Sequence, residues 1–196
     1  MKKSLKVLAL LAGTVFASAS ANAVVLPTAI GPSPTGTYFN TTFNSTGGST
    51  SISFDLIGYL SLDGVNCCTD TFHLWLNDPG PTFGNEIFAV SYNLGGGGVN
   101  TTFINTIGAT ITGLDNDPNH ISFLGGVINI SGIFNALVGV NTLSFGYTDN
   151  GFQGTDDEAW GVNNINVSAV PVPPAALLLG TGLIGLASLR RKAKKA

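Results

Sequence analysis

Positive charge is missing from almost the whole of this 196-residue chain. All eight Lys and Arg residues lie in the first six or the last seven positions, whereas the eleven Asp and Glu residues lie between Asp55 and Glu158. Only His73 and His120 could become positive in that interior stretch. Salt bridges to Lys or Arg are therefore excluded inside it, and its carboxylates must be solvated, hydrogen-bonded or matched by external cations. Nucleic-acid binding is also excluded, because it depends on basic contacts to phosphates.

Catalytic signatures are missing as well. The chain has no G-x-S-x-G, no H-E-x-x-H and no Cys–His–Asn set in a recognisable context. The run Gly95–Gly98 lacks both the G-x-G-x-x-G order and a following helix, so we do not expect it to cradle a phosphate. We expect a protein that is not an enzyme. A polysaccharide-active enzyme is the catalytic alternative, since glycosidases need only two carboxylates about 5 to 10 Å apart.

The N-terminus has the three parts of a secretory signal. Lysines surround the start of an apolar run from Leu5 to Phe16, and a run of small residues follows. Ala21 and Ala23 form an A-x-A cleavage site, with Ala17 and Ala19 as a second candidate. The first 23 residues are thus predicted to be a signal peptide that directs the chain to Sec-type export machinery and signal peptidase.

The C-terminus contains three consecutive blocks. A proline cluster that begins at Pro171 is followed by an apolar run from Ala175 to Leu189 and by a basic end. The prolines fix φ and remove backbone donors, so they predict the end of the folded domain. The apolar run gives roughly 22 Å of helix at 1.5 Å per residue, and a comfortable span needs about 17 to 25 residues. The basic end is expected to stay cytoplasmic. A temporary hold in the bilayer is favoured, with a short permanent anchor as the alternative.

This order of blocks resembles the PEP-CTERM family of bacterial sorting signals. The residues that carry the resemblance are Val170, Pro171, Val172, Pro173, Pro174, Ala175, Arg190 and Arg191. Val172 stands where most members have Glu, so the motif is closer to the VPLPA variant. The resemblance implies that residues 170–196 are read by an exosortase at the inner membrane. It also implies a final place at the cell surface or outside the cell, in association with exopolysaccharide and biofilm.

Between the two ends, apolar residues alternate with polar ones in several short stretches. They are Ile52, Phe54, Leu56; Phe72, Leu74, Leu76; Phe88, Val90, Tyr92, Leu94; Leu143, Phe145, Tyr147; and Ile165, Val167. Period two with Gly, Asn and Asp breaks is typical of strands joined by turns. The fold class is predicted to be all-β, with one jelly-roll-like β-sandwich over residues 52–169. Residues 24–51 are a polar lead-in or a first edge strand, and residues 133–138 fit a single helical turn.

Two stretches of this interior resemble the closing strands of galactose-binding-like jelly rolls. They are residues 139–145 and 157–165, which read GVNTLSF and DEAWGVNNI. The resemblance implies carbohydrate binding, with a structural calcium ion near the paired terminal strands.

Asp156, Asp157 and Glu158 are three adjacent carboxylates in an interior without Lys or Arg. A divalent ion would relieve their repulsion, and calcium takes six to eight oxygens, so they are the predicted calcium ligands. A solvated acidic turn is the alternative. A second match, Asp115-x-Asp117-x-Asn119, has His120 where a calcium loop needs Gly, so a turn is favoured there.

Cys67 and Cys68 are adjacent, and an even cysteine count in an exported protein favours a disulfide. Neighbouring Cα atoms are about 3.8 Å apart, less than the usual range across a disulfide, so a vicinal bond would be strained. Intermolecular bonds, free thiols and a metal site that includes His73 are the alternatives.

Trp75 lies on the face of its strand opposite Phe72, Leu74 and Leu76. It is therefore the candidate for stacking on a sugar, and packing in a second covered face is the alternative. The sequence thus predicts a non-catalytic surface or matrix protein, with a calcium-dependent carbohydrate-binding module as the alternative function.

Overall fold

A computed structural model describes residues 24–26, 29–78, 84–148 and 155–171. The predicted signal peptide, and the sorting tail from Val172 onward, lie outside these residues. The described part is all-β, which confirms the predicted fold class, and it contains no helix that could span a bilayer.

Nine strands account for most of the described residues. They are β1 (Val24–Val25), β2 (Ala29–Pro34), β3 (Tyr38–Gly58), β4 (Thr71–Leu76), β5 (Glu86–Ser91), β6 (Thr101–Asn105), β7 (Thr110–Thr112), β8 (Gly126–Thr148) and β9 (Ala159–Ala169). All pairings are antiparallel, in the order β1-β9-β3-β8-β4-β5-β6. β2 also pairs with β9, and β7 also pairs with β8.

The two longest strands, β3 and β8, form one continuous ladder from Tyr38↔Gly146 to Gly58↔Gly126. Gly47, Gly48 and Gly139 lie near its middle, with φ values of 88°, 89° and 97° that only glycine adopts readily. β9 pairs with β3 on one side of these glycines, over residues 50–58. β4 pairs with β8 on the other side of them, over residues 143–148. The ladder therefore joins two groups of strands.

Aromatic rings from these two groups pack against each other. Phe54, on the β9 side of the ladder, lies 5.6 Å from Phe145 and 5.7 Å from Phe72, measured between ring centroids. Trp160 in β9 lies 6.3 Å from Phe72. All four side chains are fully buried. The sheet thus encloses an aromatic core between its two halves, which is consistent with a β-sandwich.

One prediction about the course of the chain is corrected, and the stretch before Ile52 is found to hold several strands. Residues 133–138 are not a helical turn, because they are part of β8 and pair with β3. Residues 24–51 contain β1, which lies at one end of the strand order, and β2, which pairs with β9. They also contain the first part of β3, which begins at Tyr38 and lies between β9 and β8. Thr, Ser, Asn and Gly dominate this stretch, so backbone pairing rather than apolar alternation holds it in the sheet.

Candidate metal centre

Three buried carboxylates from separate parts of the chain meet at one point. Asp63, Asp70 and Glu158 are 7%, 0% and 0% exposed. One oxygen from each carboxylate lies within 4.8 Å of the others. Within the described ranges, this is the only set of three His, Cys, Asp or Glu side chains at such spacing. We refer to these three residues as the carboxylate cluster.

Backbone pairing beyond the ends of the strands brings the carboxylate cluster together. After β3, the N–H of Tyr59 donates to the carbonyl of Ala159 at 2.9 Å, and the N–H of Ser61 donates to that of Asp157 at 3.0 Å. This places the segment before Asp63 beside the start of β9, next to Glu158. The N–H of Asp63 also donates to Asp70 Oδ2 at 2.8 Å. Segments almost a hundred residues apart are thus joined without a regular strand.

A glycine-rich segment packs closely against the carboxylate cluster. A Cβ at Gly96 would lie 2.8 Å from Cγ of Asp63, and one at Gly98 would lie 2.8 Å from backbone atoms of Gly64. The N–H of Gly64 donates to the carbonyl of Gly97 at 2.8 Å. The run Gly95–Gly98 therefore does more than connect strands. Its small residues allow two backbone segments to approach closely beside the carboxylate cluster.

Polar side chains surround the outer side of the carboxylate cluster. Asn66 Nδ2 donates to Asp63 Oδ1 at 2.6 Å. Ser61 Oγ donates to Asp157 Oδ1 at 2.7 Å. Burial raises the pKa of Asp63, the hydrogen bond from Asn66 lowers it, and the charge of Asp157 raises it again. Burial is the largest of these effects, so the environment disfavours the charge on Asp63.

The hydroxyl of Tyr147 lies in the field of the same three carboxylates. It is completely buried and has no hydrogen-bond partner in the part of the chain that the structure describes. Its pKa is raised well above the usual value, first by burial and then by the charges of the carboxylate cluster. Its ring packs 5.9 Å from that of Phe72 and 5.7 Å from that of Trp160. These two residues follow Asp70 and Glu158 by two positions.

The structure divides the predicted calcium ligands. Glu158 belongs to the carboxylate cluster, but Asp156 is exposed and Asp157 is half-buried and hydrogen-bonded to Ser61. The three consecutive residues therefore do not form the described cluster, which corrects the predicted ligand set. Asp156 and Asp157 lie in a turn, and Glu158 follows it directly before β9, so the three side chains are held in different surroundings.

The second acidic match, at residues 115–119, is a turn, which is the interpretation that the sequence favoured. The N–H of Asp117 donates to Asp115 Oδ1 at 2.9 Å, and the N–H of Asn119 donates to Asp117 Oδ1 at 3.0 Å. His120 forms an ion pair with Asp115 when it is protonated. Asp117, Asn119 and His120 are exposed, and Asp115 is half-buried.

Cys67 and Cys68 are free thiols with their sulfur atoms 2.8 Å apart, so the predicted vicinal disulfide is not formed in this structure. The backbone N–H of Cys68 donates to Asn66 Oδ1 at 2.6 Å, which connects this turn to Asp63 through Asn66. His73 instead contacts Glu86 and Thr148. The metal site of two cysteines and His73 is not assembled among the described residues.

Trp75 is only 1% exposed, so it cannot offer its face to a sugar ring, and the prediction of a sugar contact is corrected. Its ring stacks on His73 at 5.1 Å and lies 5.7 Å from Tyr38. A Cβ at Gly146 would lie 3.0 Å from the Trp75 ring and 2.3 Å from the Tyr38 ring. The second face of β4 is therefore covered, which is the alternative that the sequence left open.

A shallow groove of about 410 Å³ lies away from the carboxylate cluster. Its polar side chains are hydroxyls and one amide, from Ser51, Ser53, Thr110, Ser131, Asn166 and Ser168. No titratable side chain of the described residues lines it, so the groove offers hydrogen bonds to a ligand but no general acid or base, and no base that would activate its hydroxyls as nucleophiles.

Comparisons with protein-family models, with curated proteins and with solved structures give no match for this chain.

Proposed function

We propose that this chain is an exported, non-catalytic protein of the cell surface or extracellular matrix. A jelly-roll-like β-sandwich is its working domain, and its tail is read by an exosortase-type enzyme. The supporting observation is the position at which the sheet ends. β9 stops at Ala169, and the N–H of Val170 makes a final hydrogen bond to the carbonyl of Ser49 at 2.9 Å. The sorting motif begins at that same residue, so a processing enzyme can reach it without unfolding the sheet.

The distribution of charge supports the same proposal. The described domain has no Lys or Arg, and every such residue belongs to the signal peptide or the tail. Basic residues act as retention signals on the cytoplasmic side of a membrane, and removal of both ends would leave a purely acidic domain outside. Repulsion between like charges keeps such domains soluble and apart, as suits a protein held among exopolysaccharide chains.

A binding or structural role fits the described residues better than catalysis does. The carboxylate cluster is buried, so a polysaccharide chain cannot reach it between two acidic groups as a glycosidase requires. The groove is accessible, but no carboxylate lines it. Purified protein is therefore expected to leave the exopolysaccharide of its own host intact.

The mass of the protein recovered from its natural host tests the proposed sorting. We expect a mature form that begins after Ala23 and has lost the residues beyond the proline motif. The double variant Arg190→Gln/Arg191→Gln should accumulate with its tail intact, whereas the surface variant Val99→Ala should be processed normally. An unmodified C-terminus on protein at the cell surface would overturn the exosortase proposal.

Carbohydrate binding remains a second candidate, and the groove is the observation that favours it. Ser53 and Asn166 face each other across β3 and β9 and both line the groove. If a glycan binds there, the Ser53→Ala/Asn166→Ala variant should lose signal on a glycan array, and Trp75 should not be needed. Absence of binding by the unmodified protein, with and without calcium, would remove this candidate.

A further inference from the structure

We propose that Asp63, Asp70 and Glu158 bind one calcium ion in the interior of the domain, with the hydroxyl of Tyr147 beside its oxygen shell. The site lies wholly within the described domain, so binding does not depend on whether the tail is processed. The ligand set differs from the consecutive acidic triplet that the sequence indicated, because only Glu158 is common to both.

The spacing of the carboxylate cluster fits a calcium ion. Calcium binds oxygen at about 2.3 to 2.6 Å, so two oxygens on one ion are at most roughly 5 Å apart. The three carboxylates satisfy this limit, with oxygens within 4.8 Å of one another. The set contains no His or Cys, which favours a hard cation over zinc or copper.

Burial and charge both favour a bound cation at the carboxylate cluster, because three buried carboxylates without one would repel each other. Like charges that are this close and shielded from water repel strongly, and an ionised carboxylate is costly to bury unless it is paired. No Lys or Arg is present anywhere between residues 7 and 189 to balance them. A divalent cation can offset most of the negative charge at one position.

Tyr147 provides an observation that is independent of the acidic groups. A buried hydroxyl normally has a hydrogen-bond partner, yet this one has none among the described residues. Its ring packs beside those of Phe72 and Trp160, which follow Asp70 and Glu158 by two positions. The charges of Asp70, Asp63 and Glu158 act on the hydroxyl, so it lies near the carboxylate cluster. A calcium ion or its bound water would satisfy this oxygen.

Calcium fits better than magnesium because the cluster is so deeply buried. Magnesium gives up its water ligands reluctantly and usually keeps several, whereas calcium accepts a more complete shell of protein oxygens. Bound calcium would connect the loop between β3 and β4 to the start of β9. Because the unfolded chain lacks this arrangement, binding should stabilise the folded state in proportion to the logarithm of the calcium concentration.

Thermal unfolding and calorimetric titration of the full-length chain test the site. The chain is first freed of metal with EDTA and kept in mild detergent because of its apolar tail. We expect calcium chloride to raise the melting temperature and to bind with one ion per chain, and magnesium chloride to have a much weaker effect. An unchanged melting temperature together with no heat of binding would overturn the site. An equal effect of magnesium would overturn the assignment to calcium.

Matched variants separate the carboxylate cluster from the consecutive triplet. Glu158→Gln and Asp70→Asn keep the side-chain size and should lose calcium binding, while Asp156→Asn should bind like the unmodified chain. Tyr147→Phe should weaken binding by about tenfold, the lower end of the effect of groups that orient metal ligands. Loss of binding in Asp156→Asn with retention in Asp70→Asn would overturn the proposed ligand set. The comparison of calcium with EDTA is also made on the unmodified chain. The site can therefore be tested even if a variant fails to fold.

Discussion

Two regions of this domain are held together in different ways. The first is the ladder of β3 and β8 from Tyr38 to Phe54 and from Ile130 to Gly146, which contains no charged residue. One side of it packs aromatic rings, and some of its apolar side chains, such as Leu137 and Val138, are exposed. The second is the carboxylate cluster with its loops, in which acidic groups are buried beside short segments of irregular backbone.

The difference lies in what each region needs from outside the chain. Backbone hydrogen bonds and apolar burial hold the ladder, which has no charged residue, so salt, pH and cations should affect it little. Within the carboxylate cluster, burial disfavours the charge of Asp63, and the described domain supplies no Lys or Arg to balance the acidic groups. The ladder provides the permanent part of the stability, and the cluster adds a part that depends on conditions.

The largest effect is expected from breaking the aromatic core that the ladder encloses. Phe72 contacts four rings, those of Phe54, Phe145, Tyr147 and Trp160. Phe72→Ala should lower the free energy of unfolding by about 3 to 5 kcal/mol, the usual cost of removing a fully buried phenyl group. Urea unfolding at a fixed calcium concentration measures this change.

Val138→Ala is the matched control on the same sheet. Val138 is 81% exposed, so its truncation should change the free energy of unfolding by less than about 0.5 kcal/mol. If both variants had equally small effects, the two halves of the sheet would not pack against each other as described.

The ladder was only partly predictable from the sequence, for a physical reason. Alternation identified Ile52, Phe54 and Phe72 as inward-facing strand residues, and all three are buried. The first half of β3 has few large apolar residues, so its pairing with β8 leaves little pattern in the side chains. Trp75 was assigned to an accessible face because a single strand does not reveal that Tyr38 covers its other side.

The carboxylate cluster was less predictable still. Glu158 was identified because it adjoins two other acidic residues, but its true neighbours come from the loop between β3 and β4. That contact depends on how irregular segments pair beyond the strand ends, which no local pattern encodes. Asp63 and Asp70 offered one signal in hindsight, since both are acidic residues in a stretch without any basic partner.

The pH dependence of stability should separate the two regions with a smaller effect. Burial raises the pKa of Asp63 above its ordinary value of 3.8, so the folded domain holds this proton more tightly than the unfolded chain does. Without metal, the contribution of Asp63 is favourable at low pH and is lost as the pH rises from about 3.8 through the raised pKa. In EDTA, the melting temperature should therefore fall over this interval.

Two variants identify the group responsible for this change. Asp63→Asn should flatten the metal-free profile above pH 4. The pKa of Asp115 is lowered by the backbone N–H of Asp117 and by His120, so its effect is confined to lower pH and Asp115→Asn should leave that interval unchanged. Saturating calcium should reverse the slope, because calcium requires ionised carboxylates. A metal-free profile that rises with pH over this interval and is unaffected by Asp63→Asn would contradict the assignment.

The smallest expected effect concerns the reactivity of the cysteine turn beside the carboxylate cluster. The hydrogen bond with Cys67 is the main cause that raises the pKa of Cys68 from 9.0 to about 11. Only the thiolate reacts with iodoacetamide, so Cys68 should be alkylated slowly at pH 8. Cys67→Ser weakens this hydrogen bond and should increase the thiolate population by up to about a hundredfold. Because a less basic thiolate is also less nucleophilic, the net increase in rate should be about tenfold.

Mass spectrometry of the peptide that contains Cys68 follows this reaction over time. Protein that is labelled only after reduction would instead contain the vicinal disulfide that the sequence predicted, and its turn would differ from the one described. Equal labelling rates in the unmodified chain and in Cys67→Ser would mean that the two thiols do not share a proton. In that case the connection between this turn and the carboxylate cluster would be the hydrogen bonds of Asn66, which accepts from the N–H of Cys68 and donates to Asp63. That connection would then be the one to test.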